Sequence, residues 1–157
     1  MANTDEKNVQ TEVQKEQTPM KEMTVEATVE NIDEVTDFIN EVLEANECSM
    51  RIQTQIAVAV DEVMANIAMY AYRGRDVGPA TVRVGMQDDP AAAVIIFIDE
   101  GMPYNPLTAK EPDITLGIEE RPIGGLGIFL VRKTMDEVEY ERDGDKNVLT
   151  VKKYLQG

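Results

Sequence analysis

The sequence predicts an α+β fold in two layers, a mostly antiparallel sheet with helices on one face. Three observations carry this prediction. Two segments with helical spacing lie between residues 31 and 73, a pair of strand-like runs follows across a turn at Asp88-Asp89-Pro90, and a second pair closes the chain across Asp143-Gly144-Asp145. Hairpins make neighbouring strands antiparallel, and helices that carry an apolar stripe need a sheet face to cover.

Residues 1–20 are mostly Gln, Glu, Asn, Thr and Lys, with apolar side chains at Met1, Ala2, Val9, Val13 and Met20. That is too little apolar surface to offset the entropy of ordering, so a disordered tail precedes a domain over 21–157. Met23, Val25, Ala27 and Val29 alternate with Thr24, Glu26 and Thr28, the period of a half-buried strand. Asn31 with Glu34 three residues on reads as a capping box for a helix carrying Ile32, Val35, Ile39, Val42 and Leu43. A second, longer helix starts near Ser49 and places Ile52, Ile56, Val60, Val63, Ile67 and Tyr70 at steps of three and four. It stops at Arg73-Gly74, where glycine suits a C-terminal cap.

Val82, Val84 and Met86 then alternate with Thr81 and Arg83, and the run AAAVIIFI is continuously apolar, as a central strand paired on both edges should be. The Pro- and acid-rich stretch 102–123 has little periodicity and is long for a bare loop, so it reads as a lid. Gly124-Gly125-Leu126-Gly127 opens an apolar helix through Leu130, Val131 and Met135. Strands around 138–142 and 148–155 form the closing hairpin.

Asp and Glu outnumber Lys and Arg by 30 to 15, a net charge of −15, and no Lys/Arg run occurs. Affinity for nucleic acids comes mainly from cations that neutralise phosphates, so DNA and RNA are poor direct partners. The chain has no histidine and a single cysteine, Cys48, which removes Ser-His-Asp, Cys-His and zinc-hydrolase chemistry. The apolar run 91–98 is too short to span a bilayer, and the N-terminal residues contain no hydrophobic signal region. The expected location is the cytoplasm, with no membrane partner.

Three polar stretches invite a chemical reading beside a structural one. Glu62 and Asn66, four apart, share a helix face in an otherwise apolar segment. They form either a solvated edge with Asp61, or an interhelical hydrogen bond, or a carboxylate base beside an oxygen ligand for Mg²⁺. Asp99-Glu100-Gly101-Met102-Pro103 is either a strand-end turn or a site where Asp99 accepts from an exocyclic amine such as adenine's and Gly101 admits a ring close to the backbone. Gly124, Gly125 and Gly127 are either a hinge with close helix packing or a backbone cradle for an anion at a helix N-terminus. No P-loop, HRD or DFG set accompanies them.

The order Glu62-x-x-x-Asn66, Asp99-x-Gly101-x-Pro103, Gly124-Gly125-x-Gly127 resembles the N, first glycine and second glycine boxes of the GHKL ATP-binding superfamily, which includes Hsp90, gyrase and histidine kinases. With Tyr104-Asn105-Pro106 and the segment EERPIGGLG over 119–127, the chain is similar to the bacterial anti-sigma factor serine/threonine kinases over residues 23–155. The resemblance implies a Bergerat-type sandwich that binds ATP and Mg²⁺ between the long helix and a lid. It implies Glu62 as general base, Asn66 as Mg²⁺ ligand, Asp99 as the adenine contact, Gly101 and Pro103 as the adenine-side box, and Gly124, Gly125, Leu126 and Gly127 as the phosphate cradle. The family often has histidine where this chain has Tyr70, which is otherwise readable as plain core. Lys110 and Arg121, in the lid, are either phosphate contacts or solvated charges.

The expected activity is ATP-dependent phosphorylation of a STAS-type anti-sigma factor antagonist, with sequestration of a sigma factor and a homodimer as family traits. Its rival is a nucleotide-gated anti-sigma or partner-switch protein that transfers no phosphate. A histidine kinase is disfavoured, since the chain shows neither a dimerisation helix pair nor a phospho-accepting histidine.

Overall fold

The computed structural model describes residues 20–108 and 125–155. Residues 1–19 of the expected tail, residues 109–123 of the expected lid with Lys110 and Arg121, and Gly124 lie outside the described residues.

The elements run β1 (Lys21–Glu26), α1 (Ile32–Ala45), α2 (Met50–Asn66), β2 (Pro79–Gln87), β3 (Ala92–Asp99), α3 (Gly125–Thr134), β4 (Glu137–Asp143) and β5 (Lys146–Tyr154). The sheet order is β1-β2-β3-β5-β4 and every neighbouring pair is antiparallel. The apolar run AAAVIIFI is indeed the central strand, paired with β2 on one edge and β5 on the other. Its alternate residues Ala93, Ile95 and Phe97 join Val82, Val84, Leu149 and Val151 in one core with the buried faces of the helices. Full burial of a side chain such as Phe97 or Ile95 contributes about 1.5–3 kcal/mol each, so this layer is what fixes the register of the strands.

Local chemistry sets the helix ends. Ser49 has an extended backbone and its Oγ accepts from Ile52 N at 3.2 Å, a true N-cap for α2. The expected capping box at Asn31 does not form. A 3₁₀ turn over Val29–Asn31 runs straight into α1, which puts Asn31 in helical geometry, and a cap needs an extended one. The Asn31 amide instead donates to Glu26 O at 3.0 Å. The same turn ends β1 at Glu26 and leaves Val29 62% exposed, where alternation had predicted a strand residue. The second helix also differs from its expected form: α geometry stops at Asn66, and Ile67–Ala71 form a π-helical turn before Gly74, with φ +81°, reverses the chain.

Candidate active site

Strand alternation and antiparallel register place three residues in a row at one end of the sheet. Ala80 pairs with Asp99, and Asp99 with Asn147, on the face that carries Phe97 and Leu149 into the core. Asp99 and Asn147 are each 7% exposed, two polar groups at the rim of an apolar layer. Such groups cost free energy unless they are hydrogen-bonded.

Both polar atoms of the Asn147 side chain are fully bonded. Its Nδ2 donates to Asp99 Oδ1 (2.9 Å) and to Met102 O (2.8 Å), and its Oδ1 accepts from Tyr140 Oη (2.5 Å) and Tyr104 N (3.3 Å). Asp99 Oδ1 also accepts from Gly101 N at 2.8 Å. Both of its bonds fall on that one oxygen, and Oδ2 has no further partner among the described residues. The arrangement fixes the carboxylate while leaving an acceptor free.

The turn after β3 is bolted to the end of α2. Met102 N donates to Ala71 O at 3.1 Å, and a Cβ on Gly101 would stand 2.3 Å from that same oxygen. Glycine is therefore required at 101 by close packing on the π turn, whatever it offers a ligand. Tyr72 Oη donates to Pro79 O (2.5 Å) and accepts from Glu100 N (2.8 Å). Arg75 stacks over the Tyr72 ring at 5.4 Å and donates to Glu100 O, while Arg142 donates to Gly101 O at 2.9 Å. Burial pushes the Tyr72 hydroxyl above the usual tyrosine range, with the carboxylates of Asp99 and Glu100 adding to it against the Glu100 N–H and the Arg75 charge.

These groups frame a cavity of 320 Å³ between the end of α2 and the rim of the sheet. That is a small-molecule size, since such sites run from about 300 to 1,000 Å³. Phe97, Leu149, Val63 and Ile128 of α3 give it an apolar lining, and Asn66, Asp99 and Asn147 supply convergent polar groups. Of the expected site residues, Asn66, Asp99 and Pro103 line this cavity. Gly101 sits at the corner that supports it, and Gly125, Leu126 and Gly127 form the first turn of α3. Glu62 lies one turn before Asn66 on α2, half-buried and outside the cavity lining. Neither Glu62 nor Asn66 makes a side-chain hydrogen bond or ion pair among the described residues, so no interhelical bond explains them.

Tyr70 is not plain core. It lines the cavity, and its hydroxyl is buried without a hydrogen-bond partner. Asn147, Tyr140 and Arg142 escaped the motif reading. One signal for Asn147 was present, because it breaks the inward series of Leu149 and Val151 with a polar side chain.

The family model of the histidine kinase-like ATPase domain matches residues 25–153. The serine-protein kinase RsbW of Bacillus mycoides (strain KBAB4) is 33% identical over 103 residues, 63% of this chain and 62% of that protein. The protein of the same name from Bacillus cereus (strain B4264) is also 33% identical over 103 residues, with the same coverage of 63% and 62%. The chain thus spans 62% of the length of the curated relatives it matches. Among solved structures, the RsbU and RsbW domains of a Mycobacterium tuberculosis protein share its fold with a TM-score of 0.63 at 16% identity, over 88% of this chain and 33% of that one.

Proposed function

This chain belongs to the histidine kinase-like ATPase domain family, and on that footing we propose that it is an ATP-dependent serine/threonine kinase of the anti-sigma type. Its substrate is a STAS-type antagonist protein, and it also sequesters a sigma factor. The observation that carries the reading is the meeting of Asp99, with one carboxylate oxygen to spare, and Asn66, with an uncommitted amide, on one apolar cavity.

Each residue then has a task. Asp99 accepts from the adenine amine through the oxygen that the protein leaves free, while Asn147 and Gly101 N hold the other. The apolar walls and Pro103 take the base. Asn66 fits a Mg²⁺ ligand, since Mg²⁺ takes a few protein oxygens and leaves the rest to water and phosphate. That ion, when bound, neutralises charge on the transferred phosphoryl group. The backbone N–H groups at the start of α3, at Gly125 to Gly127, have no acceptor within their own helix and favour an anion. Glu62, on the same helix face as Asn66, accepts the proton of the attacking hydroxyl.

We further infer a cytoplasmic homodimer without direct nucleic-acid or membrane contacts. A net charge of −15 suits a basic protein partner and disfavours nucleic acid. Among the described residues no helix is long and apolar enough to cross a membrane. The non-catalytic, nucleotide-gated reading draws on one observation, that Glu62 stands outside the cavity lining.

Glu62→Gln decides between the two. It preserves shape and removes the base, so ATP should bind within a few-fold of wild type while phosphate transfer to a Ser or Thr of the antagonist falls by roughly 10²- to 10⁴-fold. Asn66→Ala should weaken Mg²⁺-dependent ATP binding and transfer together. Radiolabelled ATP with antagonist proteins from the same genome is the assay. A wild-type protein that binds ATP tightly, labels no antagonist and binds its partner in an ATP-dependent way untouched by Glu62→Gln would be the gated binder.

A further inference from the structure

Asn147 stands in the wall of the cavity, yet it has no bond left to offer a ligand. An Asn side chain carries two N–H donors and two acceptor lone pairs, and all of them are used inside the protein. The amide also cannot turn over. Flipped, it would set its oxygen against the Asp99 carboxylate and the Met102 carbonyl, and its NH₂ against the Tyr104 N–H. The side chain is a fixed connector between β5 and the turn after β3, so whatever it does for binding it does through the groups it holds.

Those groups are an acceptor and a wall. The last torsion of an Asp side chain is broad, so a carboxylate held by one donor can swing to suit its surroundings. Gly101 N alone would leave Asp99 that freedom, and the Asn147 amide, donating to the same Oδ1, removes it. Oδ2 is thereby kept away from both donors. It has no partner among the described residues, and unlike the Tyr70 hydroxyl it is not sealed from solvent. The remaining bonds of the amide go to Met102 O and Tyr104 N, in a segment whose Met102, Pro103 and Tyr104 line the same cavity. One amide therefore fixes both the acceptor and the wall beside it.

We propose that Asn147 is a positioning residue for base selectivity: by pinning Asp99 it makes the cavity prefer a purine with an exocyclic amine to one with a carbonyl in the same place, without touching the base. This rests on the ATP-binding reading of the cavity, with Asp99 as the amine contact, and adds the residue that sets how sharply the amine is read. A pinned carboxylate gains a bond from the amine and repels a carbonyl, whereas a free one swings aside and evades the repulsion. Selectivity depends on that rejection as much as on the bond gained.

Calorimetric titration of wild type, Asn147→Ala and Asn147→Ser with ATP and with inosine triphosphate, which carries a carbonyl in place of the amine, tests it. Wild type should prefer ATP by about 10- to 150-fold, the scale of one hydrogen bond to a charged group. Asn147→Ala should cut the preference to roughly 3-fold or less, because the donor that pins Asp99 is gone. Asn147→Ser keeps one hydroxyl donor and should fall between the two. Both variants leave buried groups short of partners and should melt below wild type whatever Asn147 does for binding, so the ratio of the two affinities is the readout. A purely structural role weakens both nucleotides by the same factor. An equal loss for the two nucleotides, or a preference that stays at the wild-type value, would overturn the inference, and where Asn147→Ala fails to fold the Asn147→Ser ratio decides alone. Wild-type protein that binds neither nucleotide, or both alike, would overturn the reading of Asp99 as the amine contact and this inference with it, whereas a wild-type preference that survives the substitutions removes this inference alone.

Discussion

Asp99 shows how one carboxylate serves folding and binding through different atoms. Oδ1 takes the Gly101 N–H and the Asn147 amide, and nothing among the described residues takes Oδ2. Asp99→Asn can keep its carbonyl oxygen on the two internal donors and turn its NH₂ to the position of Oδ2. The folded protein then loses little, but a donor replaces an acceptor where the adenine amine arrives. ATP affinity should fall by about 1.5–3 kcal/mol, the worth of a hydrogen bond to a charged group, while the denaturation midpoint moves far less. Calorimetry and urea melts on the same preparation check this, and an affinity unchanged by the substitution would reduce Asp99 to a turn residue. Asp99 was legible in the sequence because a charged residue ends an unbroken apolar strand. Its partner Asn147 was not singled out, because its role depends on the β3–β5 register, which brings together residues 48 positions apart in the chain. Gly101 was legible for a different reason from the one the fold shows, since the contact with Ala71 O comes from the end of a helix thirty positions earlier.

At the scale of elements, the end of α2 is where local rules stopped being sufficient. The apolar spacing from Ile52 onward located the helix, and the positive φ of Gly74 agrees with a glycine-led stop. No periodicity announces the π turn, which differs from α geometry by one residue per bond and is selected by what it packs against: the Gly101 corner on one side and the cavity on the other. The failed capping box has the same character, a sequence signal outcompeted by the 3₁₀ turn that brings the chain off β1. Tyr72 holds this end of the helix to the sheet through Pro79 O and Glu100 N, and that bolt titrates. Its hydroxyl is raised above the ordinary tyrosine value of about 10, chiefly by burial, so the folded state binds the proton more tightly than the unfolded one. The corresponding stability is fully present below the unfolded pKa and is lost as pH rises through the folded value. Melting temperature should fall between about pH 9 and about pH 12. Tyr154, raised by its hydrogen bond to Glu137, acts in the same sense, so the informative quantity is the difference from Tyr72→Phe. That variant should be less stable at neutral pH by about 0.5–1.5 kcal/mol, having lost the part-buried bonds to Pro79 O and Glu100 N, and its alkaline decline should be shallower. Parallel curves for the two proteins would show that Tyr72 does not titrate with folding.

Over the whole molecule, the two hairpins and two long helices were readable because each rests on a period within one segment, and the two-layer architecture followed from them. The order β1-β2-β3-β5-β4, which delivers Asp99 and Asn147 to one rim, depends on contacts between segments and has no local signature. Charge is the other property that belongs to the entire chain. A net −15 is set against ion pairs at Arg83–Glu22 and Lys153–Asp136 among the described residues. The repulsion is concentrated on α1, where Asp33, Glu34, Asp37, Glu41 and Glu44 are all exposed and no basic residue stands among them. Asp33 and Asp37, then Asp37 and Glu41, are like charges four apart, each opposing the helix by about 0.2–0.5 kcal/mol. Asp33 and Glu34 are compensated by the dipole at the helix start, but the dipole's reach ends within the first turn and Asp37 lies beyond it. Raising NaCl from about 20 mM to about 500 mM screens these pairs and should raise the melting temperature. Asp37→Lys converts both pairs into attractions, and the opposite-charge order with Asp33 first is the favourable one. It should raise the melting temperature at low salt by about 1–3 °C and flatten the salt dependence. A wild type whose melting temperature is indifferent to salt, or an Asp37→Lys variant that keeps the wild-type salt slope, would mean that the acidic surface is spread widely enough for repulsion on α1 to carry no measurable cost.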